Sequence, residues 1–136
     1  MTERTFVMVK PDAVRKGLVG KILSRFEESG LSMLSMKKLT VSSDMSSALY
    51  AEHVGKPFYK KLLNYIHSGP VVATAWKGPN AVKLARKLIG ATNPLDAAPG
   101  TIRGDFGLTI DENIVHGSDS TASAERELGI FFPELE

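Results

Sequence analysis

The chain has 136 residues, of which 43% are hydrophobic and 24% are charged. This size and composition predict one folded domain, and we expect residues 1–136 to form it. The 17 basic and 15 acidic residues give a net charge of +2, too balanced for a protein that mainly wraps nucleic acid or adsorbs to a membrane. Because the chain contains no cysteine, disulfide frameworks and thiolate metal sites are excluded.

The distribution of apolar residues and histidines disfavours two further classes. The N-terminal residues lead into a short apolar run without the long hydrophobic region of a signal peptide, and no run approaches the length of a membrane span. We therefore expect a cytoplasmic protein. His53, His67 and His116 are scattered without metal-ligand spacing, so we expect no zinc site held by the protein.

The first predicted element is a strand over 5–9, a short apolar and β-prone run. Pro11 cannot continue a central strand, and Asp12 can cap the next segment of the chain, so Lys10 is expected at a strand end. Apolar spacing and turn residues predict the next elements. These are a helix over 18–29, a strand over 31–41, a helical hairpin over 42–66, a strand over 71–76 and a helix over 80–89.

Residues 91–107 carry prolines and glycines without periodicity, which predicts a long loop, and long ordered loops are usually functional. A last strand is expected to run into His116, followed by a helix from Thr121 that Ser120 caps. The order of elements predicts an α+β fold, a ferredoxin-like βαββαβ sandwich with an inserted helical hairpin and a long loop before the last strand.

The segment 113–120, Asn-Ile-Val-His-Gly-Ser-Asp-Ser, places His116 between an apolar pair and small polar residues. The apolar pair predicts the end of a buried strand, from which the imidazole would face a cleft. Imidazole attacks phosphoryl or acyl centres readily and leaves readily from the adduct. A lone histidine near a strand end is more often a hydrogen-bonded core residue, so a nucleophilic role depends on the rest of the chain.

Several other side chains could complete a phosphate site. Lys10, Arg86, Thr92 and Arg103 could reach one cleft, although for Arg86, which lies among lysines, a solvated helix face is the better interpretation from spacing alone. Arg103 is more suggestive because glycines flank it.

Three further side chains have both a functional and a structural interpretation. Tyr50 or Phe58 could stack on a base, although packing in the hairpin is the more frequent role of such aromatics. Glu127 could hydrogen-bond one ring nitrogen of His116 or could be a surface acid paired with Arg126.

The motif at 113–120 closely resembles the active-site motif of nucleoside diphosphate kinases. The resemblance extends to Val-Lys-Pro-Asp at 9–12, to Gly-Lys-Pro-Phe-Tyr at 55–59, and to the loop, with Gly-Ala-Thr-Asn-Pro at 90–94 and Gly-Thr-Ile-Arg-Gly-Asp-Phe-Gly at 100–107. It therefore covers essentially the whole chain. Four motifs in the family's order are far more specific than one.

The resemblance implies ping-pong transfer of the γ-phosphate of a nucleoside triphosphate, chiefly ATP, to a nucleoside diphosphate through a phosphohistidine at His116. It implies broad base specificity, Mg²⁺ carried with the nucleotide phosphates, and no need for a membrane or nucleic acid. It also implies a homo-oligomer. We favour a hexamer over a tetramer because the loop with Pro94 and Pro99 commonly joins subunits in the larger assemblies of the family.

By the same pattern, Tyr50 would lie beside His116. Ser118 and Glu127 would orient the imidazole, and the glutamate would hold the nitrogen that is not phosphorylated. Lys10 would contact both phosphate and the ribose 3′-hydroxyl. The implied nucleotide-binding residues are Arg86, Thr92 and Arg103 on the phosphates, Lys10 and Asn113 on the sugar, and Phe58 and Ile110 on the two faces of the base.

Two alternatives to an active enzyme stay open on the sequence alone. One is a ferredoxin-like module that binds nucleic acid on its sheet face, for which the predicted strands offer mainly Phe6 and Trp76 as aromatics. The other is an inactive relative that acts through its oligomeric surface.

Overall fold

The computed structural model describes residues 2–110 and 112–135. Its centre is a four-stranded antiparallel sheet in the order β2-β3-β1-β4. The strands are β1 (Thr2–Val9), β2 (Ser32–Leu39), β3 (Val71–Pro79) and β4 (Val115–Gly117). This strand order, with helical crossovers from β1 to β2 and from β3 to β4, is a ferredoxin-like α+β sandwich and confirms the predicted fold.

Helices cover both faces of the sheet. They are α1 (Pro11–Arg15), α2 (Val19–Glu28), α3 (Ser43–Leu49), α4 (Tyr59–Ile66), α5 (Ala81–Ile89), α6 (Ile102–Phe106) and α7 (Thr121–Phe131), with 3₁₀ turns at Ala51–His53 and Pro94–Asp96. The hairpin α3–α4 is inserted between β2 and β3. The predicted cap at Ser120 is present: its side chain accepts a hydrogen bond from a backbone N–H in the first turn of α7, and Ser42 caps α3 in the same way.

Strand β1 is buried on both faces and divides the core into two layers. Phe6 and Met8 pack with α7 and the hairpin, whereas Val7 and Val9 pack with α2 and α5. Because side chains alternate along a strand, a fully apolar run here serves both layers at once. The end of β1, where Lys10 lies, is therefore anchored in the most buried part of the fold.

The aromatic side chains of the strands are not exposed on a sheet face. Phe6 is fully buried in the layer of α7, and Trp76 is fully buried in the layer of α2 and α5. A sheet that binds single-stranded nucleic acid needs exposed aromatics for base stacking. The burial of both rings argues against the nucleic-acid-binding module.

The predicted long loop is wrong at Ile102–Phe106, which forms α6. The Thr101 hydroxyl caps this helix by accepting a hydrogen bond from the Gly104 N–H. A helix of five residues is too short to show an apolar period, so no periodic signal marks it in the sequence.

The structure also differs from the prediction after β1, where Pro11–Arg15 forms the short helix α1. Pro11 occupies the first helical position, where a missing N–H costs nothing. Lys10 is the N-cap residue and makes no side-chain cap, and the predicted capping role of Asp12 is wrong. The Asp12 carboxylate instead accepts a hydrogen bond from the Tyr65 hydroxyl of α4.

In the part of the chain that the structure describes, none of the helices is both long enough and apolar enough to cross a lipid bilayer.

Candidate active site

A cleft of about 850 Å³ opens between the hairpin α3–α4, the loop before β4 and the start of α7. Ten of the eleven predicted site residues line it. They are Lys10, Tyr50, Phe58, Arg86, Thr92, Arg103, Ile110, Asn113, His116 and Glu127. The eleventh, Ser118, is fully buried behind the cleft wall and contacts Glu127.

His116 lies in the middle of β4, paired with Met8 of β1, and not at the end of a longer strand as predicted. Its Nε2 is 3.0 Å from Oε1 of Glu127, which also accepts a hydrogen bond of 2.7 Å from the Ser118 hydroxyl. A carboxylate can only accept, so neutral His116 carries its proton on Nε2 and keeps the lone pair on Nδ1. Within the described residues, Nδ1 has no hydrogen-bond partner.

Glu127 is not the exposed surface acid that the sequence left as an alternative. Its side chain is 4% exposed, and Arg126 lies 3.7 Å from its second oxygen, Oε2. Arg126 also donates to the backbone carbonyls of Ala48 and Leu49, which ties α7 to the hairpin. The carboxylate that orients His116 is thus fixed from both sides.

The backbone before β4 takes a strained conformation that sets the position of His116. Ile114 has φ of 65°, which is rare for a β-branched residue. The Lys10 N–H donates to its carbonyl at 2.9 Å, and the Val115 N–H donates to the Asn113 carbonyl at 2.8 Å. The strain, on the order of 1–3 kcal/mol, is held by these contacts with β1.

Gly117, which follows His116 in the motif at 113–120, is a further site residue and lies in β4. A Cβ at this position would lie 2.5 Å from Cδ1 of Ile89, so glycine lets α5 approach the strand closely. The close approach brings Arg86 of α5 to the cleft, where its guanidinium donates to the Gly117 carbonyl at 3.2 Å. The interpretation of Arg86 as part of a solvated helix face is therefore wrong.

Arg103 is 4% exposed and binds three backbone carbonyls. Its Nε donates to Asn113, its Nη1 to Gly90 and its Nη2 to Val115, the last at 2.7 Å. Burial and the charge of Arg86 lower the pKa of Arg103 to about 10, so the guanidinium stays charged at neutral pH. These contacts leave fewer than its five N–H groups for a ligand.

Lys10 extends from the end of β1 into the floor of the cleft and is 7% exposed. Its ammonium donates to Oδ1 of Asn113 at 2.8 Å, and the amide of Asn113 donates to the Thr92 carbonyl at 3.3 Å. Burial, followed by the charge of Arg103, lowers the pKa of Lys10 to about 7, while Asp12 opposes the shift. Lys10, Arg86 and Arg103 therefore bring three cationic side chains to this cleft.

The opposite side of the cleft carries aromatic and apolar side chains. Tyr50 is buried, and its hydroxyl has no hydrogen-bond partner among the described residues. Burial and the charge of Glu127 raise the Tyr50 pKa, so the phenol stays neutral. At the rim, Phe58 and Ile110 are 48% and 52% exposed. A planar ring and an aliphatic side chain on one rim can hold a flat aromatic group.

Sequence analysis missed two residues that contact each other at the cleft, the buried Asp12 and the partly buried Tyr65 that lines it. Asp12 belongs to the motif at 9–12, which was the available signal. Tyr65 lies within the predicted hairpin, and no local signal separates it from a core aromatic.

Within residues 2–110 and 112–135, no group of three or more histidine, aspartate or glutamate side chains is placed to hold a metal ion.

Comparison with known proteins decides the family. A family model described as nucleoside diphosphate kinase matches residues 3–136. The chain belongs to the nucleoside diphosphate kinase family. This membership confirms the resemblance drawn from the four motifs, and with it the enzyme class, a phosphotransferase.

Individual relatives agree over nearly the whole chain. A nucleoside diphosphate kinase of Archaeoglobus fulgidus is 57% identical over 98% of this chain and 89% of its own length. One of Saccharomyces cerevisiae is 51% identical over 99% of this chain and 88% of its own. A solved structure from Halobacterium salinarum, in complex with CDP, has a TM-score of 0.95 at 48% identity and covers 97% of this chain and 88% of that one.

Proposed function

We propose that this protein transfers the γ-phosphate of a nucleoside triphosphate, chiefly ATP, to a nucleoside diphosphate by a ping-pong reaction through His116. The observation that carries the proposal is the orientation of the His116 ring. Glu127 occupies Nε2, and Nδ1 is left without a partner among the described residues, in a cleft whose wall carries Lys10, Arg86 and Arg103. A nucleophilic nitrogen facing fixed cations suits phosphoryl transfer, which depends mainly on positioning and charge.

In the first half-reaction, the Nδ1 lone pair of His116 attacks the γ-phosphorus. The new N–P bond forms as the bond from phosphorus to the β-phosphate oxygen breaks, and that bonding pair leaves with the diphosphate. The proton on Nε2 stays between the ring and Glu127, whose negative charge stabilises the charge that develops on the imidazole. A second diphosphate then attacks through its terminal oxygen and reverses the step.

The other cleft residues have proposed roles that match their surroundings. Arg86, Thr92 and Arg103 hold the phosphates, and Lys10 with Asn113 binds the sugar hydroxyls and phosphate. Tyr50 presents its neutral hydroxyl beside His116, and Ser118 fixes Glu127. Mg²⁺ enters with the nucleotide phosphates as part of the substrate.

The base is proposed to lie at the rim, between Phe58 and Ile110. Stacking recognises the π-face that every base shares, so we expect little discrimination between purines and pyrimidines. The Halobacterium salinarum relative in complex with CDP supports a nucleotide ligand for this fold.

We also propose a homo-oligomer, with a hexamer favoured over a tetramer. The loop that carries Pro94 and Pro99 is the segment that the resemblance associates with subunit contacts, and its Leu95 side chain is exposed. Analytical ultracentrifugation gives the mass of the assembly. A cytoplasmic location and a single domain over residues 1–136 belong to the same proposal.

The proposed reaction is tested by incubating the purified protein with Mg²⁺ and γ-labelled ATP, reisolating it, and chasing with unlabelled GDP. We expect an acid-labile, base-stable label on the protein that passes to GDP. His116→Ala should abolish labelling and turnover while the fold and nucleotide binding remain, because the imidazole acts covalently.

The matched control is His67→Gln. His67 lies outside the cleft, and its Nε2 is 2.9 Å from the Ser46 hydroxyl. The His67→Gln protein should still take up the label. Label that persists in His116→Ala would refute the assignment. A folded wild-type protein that binds nucleotide but takes up no label would instead indicate an inactive relative.

A further inference from the structure

Tyr65, which lines the cleft, contacts a carboxylate that the proposed reaction does not use. Asp12 of α1 is 2% exposed. Its Oδ1 accepts a hydrogen bond from the Tyr65 hydroxyl, whereas Oδ2 is buried without a hydrogen-bond partner among the described residues. Burial raises the pKa of Tyr65, which therefore stays a neutral donor to the carboxylate. A buried carboxylate with an oxygen left unbonded requires a positive charge nearby.

Lys10 supplies that charge, because its ammonium lies over the ring of the same tyrosine. The Lys10 ammonium lies 5.5 Å from the centroid of the Tyr65 ring, and the hydroxyl of that ring binds Asp12. The ammonium has three N–H groups, and Asn113 accepts one of them. The lysine and the aspartate, both buried, therefore contact the same tyrosine.

The other charges near Lys10 come from several elements and differ in sign. The titratable and charged groups around it are Asp12 and Arg15 of α1, Tyr65 of α4, Arg86 of α5, Arg103 of α6 and Glu112 before β4. Arg103 disfavours the ammonium, as does burial, and Asp12 favours it. Because burial lowers the Lys10 pKa to about 7, the loss of one neighbouring negative charge shifts its protonation within the neutral pH range.

We propose that Asp12 is a positioning residue whose negative charge keeps Lys10 protonated in the free enzyme, so that the nucleotide meets an ammonium group. This inference rests on the proposed function, in which Lys10 contacts phosphate and sugar. The charged form of Lys10 is the competent one, so kcat/KM falls as pH rises through the Lys10 pKa. In the nucleotide complex the phosphates also stabilise the ammonium, so kcat depends on Asp12 less than kcat/KM does.

Two substitutions separate the charge of Asp12 from its hydrogen bond. Asp12→Asn removes the charge, and its amide oxygen can still accept from the Tyr65 hydroxyl. Tyr65→Phe removes that hydrogen bond, and both the carboxylate and the ring remain. Asp44→Asn is the matched control, since Asp44 is an exposed aspartate of α3 outside the cleft.

The first measurement is an NMR titration of protein labelled with ¹³C at lysine Cε, without nucleotide. Lys10→Arg identifies the Lys10 signal by its disappearance. In Asp12→Asn we expect the Lys10 titration midpoint to fall by about one pH unit, the size of effect of a nearby opposite charge. Tyr65→Phe and Asp44→Asn should not lower it.

The second measurement is the pH profile of kcat/KM for phosphate exchange from ATP to GDP. In Asp12→Asn, the pH at which kcat/KM begins to decline on the alkaline side should fall by the same amount. At pH values above this decline, kcat/KM should therefore be about tenfold below that of wild type. An unchanged Lys10 midpoint in Asp12→Asn overturns the inference. So does an equal fall in Tyr65→Phe, because the hydrogen bond and not the charge would then control Lys10.

The two proposals fail in different ways. The NMR titration needs no turnover, so it tests Asp12 even if the protein transfers no phosphate. Absence of label on His116 refutes the proposed function, whereas a labelled protein with an unmoved Lys10 midpoint refutes only the inference about Asp12.

Discussion

At the inner end of the cleft, charged side chains are buried and bonded to the backbone, whereas at the rim the side chains are apolar and half exposed. Arg103 binds three carbonyls and is 4% exposed, but Phe58 is 48% exposed and lies against the ring of His53 and the ammonium of Lys56. The inner end is preorganised, and the rim can adjust to its ligand.

This difference matches the two tasks of the proposed reaction. Phosphoryl transfer depends on charges that are already in place when the transition state forms, which requires rigid donors. A base that varies between substrates needs a surface that accepts any flat ring, which a rim with a single aromatic side chain provides. Changes at the inner end should therefore reduce kcat, and changes at the rim should raise KM.

Arg103→Ala should give the largest effect on catalysis at the inner end. It removes a buried cation from the phosphate wall and takes one donor from each of the carbonyls of Gly90, Asn113 and Val115, of which Asn113 keeps the Val115 N–H. We expect kcat/KM to fall by roughly 10²–10³-fold, the scale for loss of one preorganised donor. The thermal midpoint should also fall, because buried carbonyls lose partners. Steady-state kinetics well below that midpoint measure the first effect.

Arg103→Lys sharpens this prediction because an ammonium cannot reproduce the fork that binds three carbonyls. It should recover only part of the activity. Arg4→Ala, which removes an exposed ion pair with Glu125, is the control and should change little. Wild-type kcat/KM in Arg103→Ala would remove Arg103 from the site.

Glu127→Gln is expected to lower kcat by about 10–100-fold with little change in KM. The amide can donate to Nε2 of His116 and thereby favour the tautomer with the proton on Nδ1, which blocks the nucleophile. Single-turnover labelling of His116 measures this step directly.

The same helix offers the control for this substitution, Glu125→Gln, which replaces a carboxylate that is 63% exposed and pairs with Arg4. It should leave the labelling rate unchanged. A labelling rate in Glu127→Gln equal to that of wild type would mean that Glu127 does not orient the ring.

Local sequence signals predicted most of the framework. The apolar run of β1, the turn residues that bound the helices and the cap at Ser120 all depend on residues within a few positions of one another. The motif resemblance then brought distant residues, such as Lys10 and Asn113, into one predicted site.

Contacts between distant segments could not be read from the sequence. The hydrogen bond between Asp12 and Tyr65 joins residues 53 positions apart. The positive φ of Ile114 contradicts the preference of a β-branched residue and is maintained by a contact with Lys10. In the second case tertiary packing overrides the local preference, and each contact involves a residue that lines the cleft, Tyr65 in the first and Lys10 in the second.

Phe58→Ala tests the rim and should give a smaller effect than the changes at the inner end, confined to binding. Loss of a stacking partner costs about 1–3 kcal/mol per base, so KM should rise by roughly tenfold for ATP, GDP, CDP and dTDP together. We expect kcat to stay near its wild-type value, because the inner end of the cleft is untouched.

Ile110→Ala should raise KM less, since an aliphatic side chain packs on the base without aromatic stacking. Leu108→Ala, at an exposed apolar residue outside the cleft, is the control. A KM increase limited to one base would instead indicate hydrogen bonding to base edges and would contradict the adjustable rim, whereas a large fall in kcat would mean that the two ends of the cleft are coupled.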